Sequence, residues 1–256
     1  MSGYGTFARY YDCLTKNAQY TERADYFARI FSDNSIESGV LLDVACGSGS
    51  LSFLMEKKGF DVVGVDVSED MLQRAIVKKQ AEKSNVLFLK QDARNLDLFG
   101  TIRACICSLD SVNHFETIDD VKTVFQRIGL FTEKGGVFIF DVNTLYKHKN
   151  ILGNNAFNYE TENGDFIAWQ NYYNDEDSSV DICLDFFSPC RDGRYDRYTE
   201  DFTEYYYSPQ QLEAALNDAG FEVSDIFGDL SFETPSQDEQ RLVFVCKKIR
   251  EDNKVG

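Results

Sequence analysis

Short apolar runs alternate with longer stretches of helical spacing along the first half of the chain. Residues 20–32 place Tyr20, Ala24, Phe27 and Ile30 or Phe31 on one helical face, with Thr21 as the predicted N-cap. Residues 40–44 (Val-Leu-Leu-Asp-Val) read as a buried strand. Gly47-Ser48-Gly49 then opens a short helix through Leu51, Leu54 and Met55 that stops at Gly59. Residues 61–66 form a second strand, and Ser68 caps the next helix, whose inner face is Met71, Leu72, Ala75 and Ile76. Glu69 and Asp70 suit its positive first turn. A third strand runs from Val86 to Asp92. A fourth runs from Ile102 to Leu109, apolar on both faces as in a sheet covered on both sides. An amphipathic helix spans Asp119 to Thr132, closed by Gly135-Gly136, and residues 137–141 make a fifth strand. Strands alternating with helices in this way predict parallel βαβ units with right-handed crossovers.

From residue 144 to 207 the period falls to two and the composition turns to Tyr, Phe, Asn and Asp. Residues 181–187 and 198–205 read as strands around the turn Cys190-Arg191-Asp192-Gly193-Arg194. Ser208-Pro209-Gln210-Gln211 is a helix start, with Ser as cap, Pro at the first helical position and Gln completing a capping box. Leu212, Ala215, Leu216 and Ala219 form its stripe and Gly220 ends it. Strands at 221–227 and 242–246 finish the pattern. The expected architecture is a doubly wound, mostly parallel seven-stranded α/β sheet with an antiparallel β insertion after strand five. Residues 1–143 and 208–256 would form the core, and residues 144–207 a substrate lid.

Composition narrows the classes. The 256 residues suit one large domain with an insertion, and the 43% hydrophobic and 27% charged fractions are those of an ordinary globular chain. No apolar run approaches the ~20 residues that span a bilayer. Met1-Ser2-Gly3-Tyr4-Gly5 does not read as a basic-then-apolar leader, so the expected compartment is the cytoplasm, without a membrane partner. The formal net charge of −17 argues against nucleic acid as a partner, since such affinity comes largely from Lys and Arg on phosphates. Cys105 and Cys107 share one face of a strand and read as reduced, buried thiols. There is no Cys-x-x-Cys, and His114 and His148 are the two histidines, so no metal site is expected.

The chemistry gathers at residues 41–50 (Leu-Leu-Asp-Val-Ala-Cys-Gly-Ser-Gly-Ser), at the carboxyl end of the first strand, where open α/β sheets bind ligands. Gly47 and Gly49 let backbone approach a ligand, or else merely serve a tight turn. A dinucleotide site would place a third small residue further on. Counted from Gly47 that position is Ser52, and from Ala45 it is Ser50, so neither register completes the fingerprint.

Asp43-Val44-Ala45-Cys46-Gly47-Ser48-Gly49 resembles the first motif of the class I S-adenosylmethionine-dependent methyltransferases, with Ala45 where many members carry Gly. Asp66, closing the second strand, resembles the acid that pairs with the ribose hydroxyls; a carboxylate accepts both, and NAD-binding enzymes share this step. Gln91-Asp92-Ala93 resembles the family's adenine-binding segment. Ser108-Leu109-Asp110-Ser111-Val112-Asn113-His114 follows the fourth strand, where the family brings donor and acceptor together. The resemblance covers residues 36–143, and 208–246 in architecture. It implies a Rossmann-like fold, S-adenosyl-L-methionine as donor and, for the bacterial small-molecule type, a small-molecule acceptor. The donor site it implies is Asp43, Ala45, Cys46, Gly47, Gly49, Asp66, Val67, Met71, Asp92, Ala93 and Leu109.

Residues 7–14 resemble the opening segment that folds over the donor in such enzymes, or act as an aromatic staple for the first helix. Tyr11 and His114 are candidates for a general base, needed only if the acceptor arrives protonated. Tyr159, Trp169, Tyr172, Tyr173, Phe187 and Tyr205 to Tyr207 either pack the insertion or suit an aromatic or apolar acceptor. Two other classes remain open: a donor-binding sensor or partner subunit without turnover, and an NAD-dependent oxidoreductase. The oligomeric state is not legible.

Overall fold

The computed structural model describes residues 18–161 and 164–251. In chain order the core elements are α1 (Tyr20–Asp33), β1 (Gly39–Val44), α2 (Ser50–Lys57), β2 (Phe60–Asp66), α3 (Glu69–Glu82), β3 (Leu87–Lys90), β4 (Ile102–Cys107), α4 (Ile118–Phe131) and β5 (Thr132–Asn143). A wide single helical turn (Lys147–Leu152) leads to β6 (Ala156–Glu160), β7 (Phe166–Asn174), β8 (Ser179–Pro189) and β9 (Tyr195–Tyr205). The chain then closes with α5 (Pro209–Asp218), β10 (Phe221–Gly228) and β11 (Arg241–Lys248).

The main sheet has seven strands in the order β10-β11-β5-β4-β1-β2-β3. The five from β5 to β3 are parallel, whereas β11 runs antiparallel to both neighbours. The chain leaves β1 toward β2 on one side and later returns to β4 on the other. That reversal opens a crevice at the carboxyl ends of β1 and β4, where such sheets take ligands.

Period-two alternation divides the core. Leu41, Ala104, Ile106, Val137, Ile139, Val243 and Val245 face α1 and α2, packing on Ala24, Phe27, Ile30 and Phe31. Their chain neighbours Leu42, Cys105, Cys107, Phe138, Phe140, Phe244 and Cys246 face α4 and α5. There Phe140 stacks on Phe244 with centroids 4.8 Å apart. Cys105, Cys107 and Cys246 are free thiols in this layer, and burial pushes each well above its ordinary pKa.

Local signals held at several ends and failed at others. Ser68 accepts from the Met71 N–H, and Ser208 with Gln211 forms the expected capping box. Thr21 is not a cap: Gln19 stands at that position in the left-handed region, and Thr21 lies inside the first turn. Ile76 is exposed, because α3 rests only Met71, Leu72 and Ala75 on the sheet's narrow β2–β3 edge. β4 stops at Cys107, since Leu109 (φ 59°) and Asp110 (φ 58°) turn left-handed. Thr132 already belongs to β5, pairing with Ile102 ahead of an irregularity that carries Gly135 at φ 85°.

A second, antiparallel sheet has the order β6-β7-β8-β9. Its outer two strands on one side, β6 and β7, were not legible as strands, because few of their residues are buried. Ile167, Val180, Ile182, Leu184 and Phe186 form its own apolar face, packed with Leu152. Its last strand is tied to the carboxyl ends of β4 and β5: Asn113 Nδ2 donates to Tyr205 O (2.9 Å), and Asn143 Nδ2 to Glu204 Oε2 (2.7 Å). Among the described residues no helix is long and apolar enough to cross a membrane.

Candidate functional site

At the end of β1 the chain passes through three left-handed residues, Ala45 (φ 55°), Gly47 (φ 54°) and Gly49 (φ 78°). For Ala45 this geometry costs on the order of 1 kcal/mol or more, and such strain concentrates where backbone must present itself to a ligand. Gly49 serves packing as well, since a Cβ there would lie 2.7 Å from Phe88 Cζ. The turn is locked from below. Cys46 N–H donates to Val65 O (3.0 Å), and Gly47 N–H donates to Asp66 Oδ2 (2.8 Å).

Asp66 also accepts from the Ser68 N–H through Oδ1 (2.8 Å). Burial raises its pKa, opposed by these backbone donors. A carboxylate offers about four lone-pair sites. The Gly47, Ser68 and Val67 N–H groups draw on three of these, which orients the carboxylate at the tip of β2. Val67 beside it is exposed, while Met71 in the first turn of α3 is buried.

Asp43 lies inside the fold, 3% exposed, accepting from Ser52 Oγ (2.5 Å). Ser52 is itself fully buried, so the position a dinucleotide fold keeps small is spent on bracing Asp43. Burial raises the Asp43 pKa to about 7. A carboxyl raised in the folded state stabilises below its unfolded pKa of about 4 and loses that contribution as pH rises to about 7. Asp43→Asn is therefore expected to flatten the change in urea midpoint between pH 5 and pH 8. An unchanged slope would remove Asp43 as its source.

Asp92 caps the short turn Ala93–Asn95 and is gripped by Arg94, whose Nη2 lies 2.6 Å from Oδ2. Ala93 is half-buried beside it. The carboxylate thus sits at the end of β3 with its hydrogen bonds turned toward its own loop. At the end of β4, Leu109 and Asp110 donate their N–H groups to the two oxygens of Asp141 (2.9 and 2.8 Å). His114 is exposed, its ring 5.3 Å from that of Phe202 on β9. Tyr11 lies outside the described residues.

A buried charge cluster adjoins this loop, and the sequence had given it no role. Asp141, fully buried near the end of β5, accepts from Ser108 Oγ (2.6 Å) and pairs with Arg241 and with Arg23 Nη1 (3.6 Å). Arg241 Nη2 also reaches Asp110 Oδ2 (3.4 Å), and Asn143 Nδ2 donates to that oxygen (2.9 Å). Burial alone would raise both carboxyls, but Arg241 holds them below the usual range, aided by Lys147 at Asp110 and by Arg23 at Asp141. Arg23 continues the cluster to Asp229 (2.9 Å). The legible signal was a charged residue at each end of an apolar strand, Asp141 after Phe140 and Arg241 before Leu242.

Beyond Asn143 the wide turn carries Lys147 and His148. Lys147 Nζ donates to Asn143 Oδ1 (2.8 Å), and burial lowers its pKa. His148 is buried between Ser178 O (3.2 Å from Nδ1) and Glu204 Oε2 (3.4 Å from Nε2). Lys147 and Arg241 open onto a cavity of about 440 Å³ beneath the loop of residues 229–240. Its remaining lining is Asp229, Ser236, Asp238, Glu239 and Gln240, all polar. The insertion's aromatics lie elsewhere: Trp169 donates to Asn171 Oδ1 and packs on Phe157, while Tyr159 and Tyr172 face solvent.

Residues 41–136 match the family model described as a methyltransferase domain. A protein of Geobacillus sp. (strain WCH70), provisionally assigned as a methyltransferase, is 32% identical over 246 residues, covering 96% of this chain and 99% of that one. YqeM of Bacillus subtilis (strain 168), assigned in the same provisional way, is 30% identical over 96% of this chain and 98% of its own. A crystal structure of an S-adenosylmethionine-dependent methyltransferase from Clostridium acetobutylicum superposes with a TM-score of 0.87 at 29% identity, covering 96% and 99% of the two chains. The sugar N-methyltransferase KedS8 of Streptoalloteichus shares the fold, with a TM-score of 0.74 at 18% identity over 94% and 93%.

Proposed function

Because the chain belongs to the S-adenosylmethionine-dependent methyltransferases, we propose that it transfers the donor's methyl group in line to a small-molecule acceptor. The observation that carries the donor site is Asp66, half-buried at the tip of β2 and oriented by backbone N–H groups beside the left-handed turn at 45–49. In this reading Asp66 takes the ribose hydroxyls. The backbone of Ala45, Cys46, Gly47 and Gly49 borders the methionine part, braced by Asp43. Val67 and Met71 flank the ribose, Asp92 and Ala93 border the adenine, and Leu109 lies toward the methyl end.

S-adenosyl-L-methionine, when bound, supplies an already activated sulfonium methyl. The protein's share is then alignment, worth up to roughly 7–11 kcal/mol in favourable intramolecular cases. The loop at 108–114 is well suited to it, since Asp141 fixes two successive N–H groups of that loop. For a protonated acceptor, His114 at the exposed mouth and Tyr11 remain the candidate bases. Residues 144–207 would act as the acceptor's lid, which the ties from Asn113 and Asn143 to β9 support. The polar lining of the cavity favours a polar acceptor over the aromatic or apolar one suggested by the insertion's composition.

Calorimetric titration with S-adenosylmethionine and with NAD tests the donor, and tritiated methyl transfer into a small-molecule extract tests turnover. We expect donor binding, no NAD binding, and label in a low-mass product. Tight donor binding with no label in any fraction would favour a donor-sensing protein instead.

A further inference from the structure

The cavity of about 440 Å³ has an uneven charge balance that the donor does not explain. Two of its charged groups are already answered: Arg241 by Asp110 and Asp141, and Asp229 by Arg23. Lys147 makes no ion pair within 4 Å among the described residues: its ammonium donates to the Asn143 amide oxygen, and the carboxylates of Asp110, Glu204 and Asp141 act on it only from farther off. On the facing loop Asp238 accepts from Ser236 Oγ (2.7 Å) and Glu239 from the Gln240 N–H (3.1 Å), and among the described residues neither pairs with a cation. Thr144 pins that loop through Glu239 O and Gln240 O, so the two sides are held opposite one another.

A buried ammonium on one side and unneutralised carboxylates on the other complement a ligand carrying both charges. A simple anion would meet Asp238 and Glu239, and a simple amine would meet Lys147. The cavity lies at the carboxyl end of β5, two strand spacings or about 10 Å from β1, within reach of a donor seated at the switch point. Its volume falls in the range of small-molecule sites. Resting on the methyltransferase reading, we propose that the acceptor is a zwitterionic small molecule, bearing a carboxylate or phosphate and a protonated amine, with Lys147 as counter-ion to its anionic group.

The test uses three two-carbon amines differing in their second group, together with propionate, which lacks the amine. β-Alanine, 2-aminoethyl phosphate, ethanolamine and propionate are titrated calorimetrically into the full chain, with and without S-adenosylhomocysteine. One of the two zwitterions is expected to bind at least tenfold tighter than ethanolamine and propionate, and which one does so identifies the anion. Lys147→Met should abolish the preference over ethanolamine, Lys147→Arg should keep it, and Asp238→Asn with Glu239→Gln should abolish the preference over propionate. Those last two positions line an exposed loop, so the double variant still reads out if Lys147→Met fails to fold. Equal binding of ethanolamine, a preference surviving in Lys147→Met, or no binding of either zwitterion would overturn the proposal. Failure of S-adenosylhomocysteine itself to bind would instead count against the donor site.

Discussion

Replacing Asp66 with Asn is expected to weaken S-adenosylmethionine binding by about 100-fold or more. Hydrogen bonds to a charged partner contribute about 1.5–3 kcal/mol each, and the proposed diol contact uses two. Asn also lacks a second acceptor oxygen. Its amide NH2 would face either the Gly47 or the Ser68 N–H, each now bonded to a separate Asp66 oxygen. Donor would then meet donor, and the turn at 45–49 would loosen together with the binding site. Calorimetry on the variant reads the first effect and its urea midpoint the second. Because burial raises the Asp66 pKa, wild-type affinity should begin to weaken with acid at a higher pH than for a free carboxyl. Donor binding within threefold of wild type would remove Asp66 from the site.

The sequence made β1, β2, β4 and β5 legible because most of their residues are buried, so apolar runs bounded by glycine and charge marked them directly. The turn at 47–49 was legible because left-handed backbone favours glycine. Ala45 was not, since its positive φ is strain imposed by the surrounding hydrogen bonds rather than a residue preference. β6 and β7 leave little apolar signal in the sequence because their sheet has one solvated face and many exposed residues. The charge cluster is not legible there for a different reason. Arg23, Asp141, Asp229 and Arg241 come from α1, β5, the 229–240 loop and β11, and only the antiparallel insertion of β11 beside β5 brings Arg241 next to Asp141. Single-residue chemistry does not encode such long-range pairing. Glu204 and Asn143 meet in the same way, through the return of β9 to the carboxyl end of β5.

That cluster makes Arg241 the position where one substitution should cost the most stability. Arg241→Met keeps much of the side chain's volume and removes the cation between Asp110 and Asp141. Removing one partner of a buried ion pair is destabilising by about 3–5 kcal/mol, because the remaining charges are left without compensation. Arg23 stays 3.6 Å from Asp141 and would offset part of this, so the lower end of that range is the expected loss at pH 7. In the wild type both carboxyls are held low, so their contribution is present above the unfolded pKa of about 4 and is lost as pH falls through their folded values. In the variant burial acts without Arg241, their folded pKa values rise, and protonation on acidification relieves the repulsion. The gap between wild type and Arg241→Met should therefore narrow as pH falls from 7 toward 5. Urea melts at both pH values measure it. The double variant in which Asp141→Asn joins Arg241→Met should recover part of the loss at pH 7. A gap independent of pH would mean that Arg241 acts through packing, with Asp110 and Asp141 neutralised some other way.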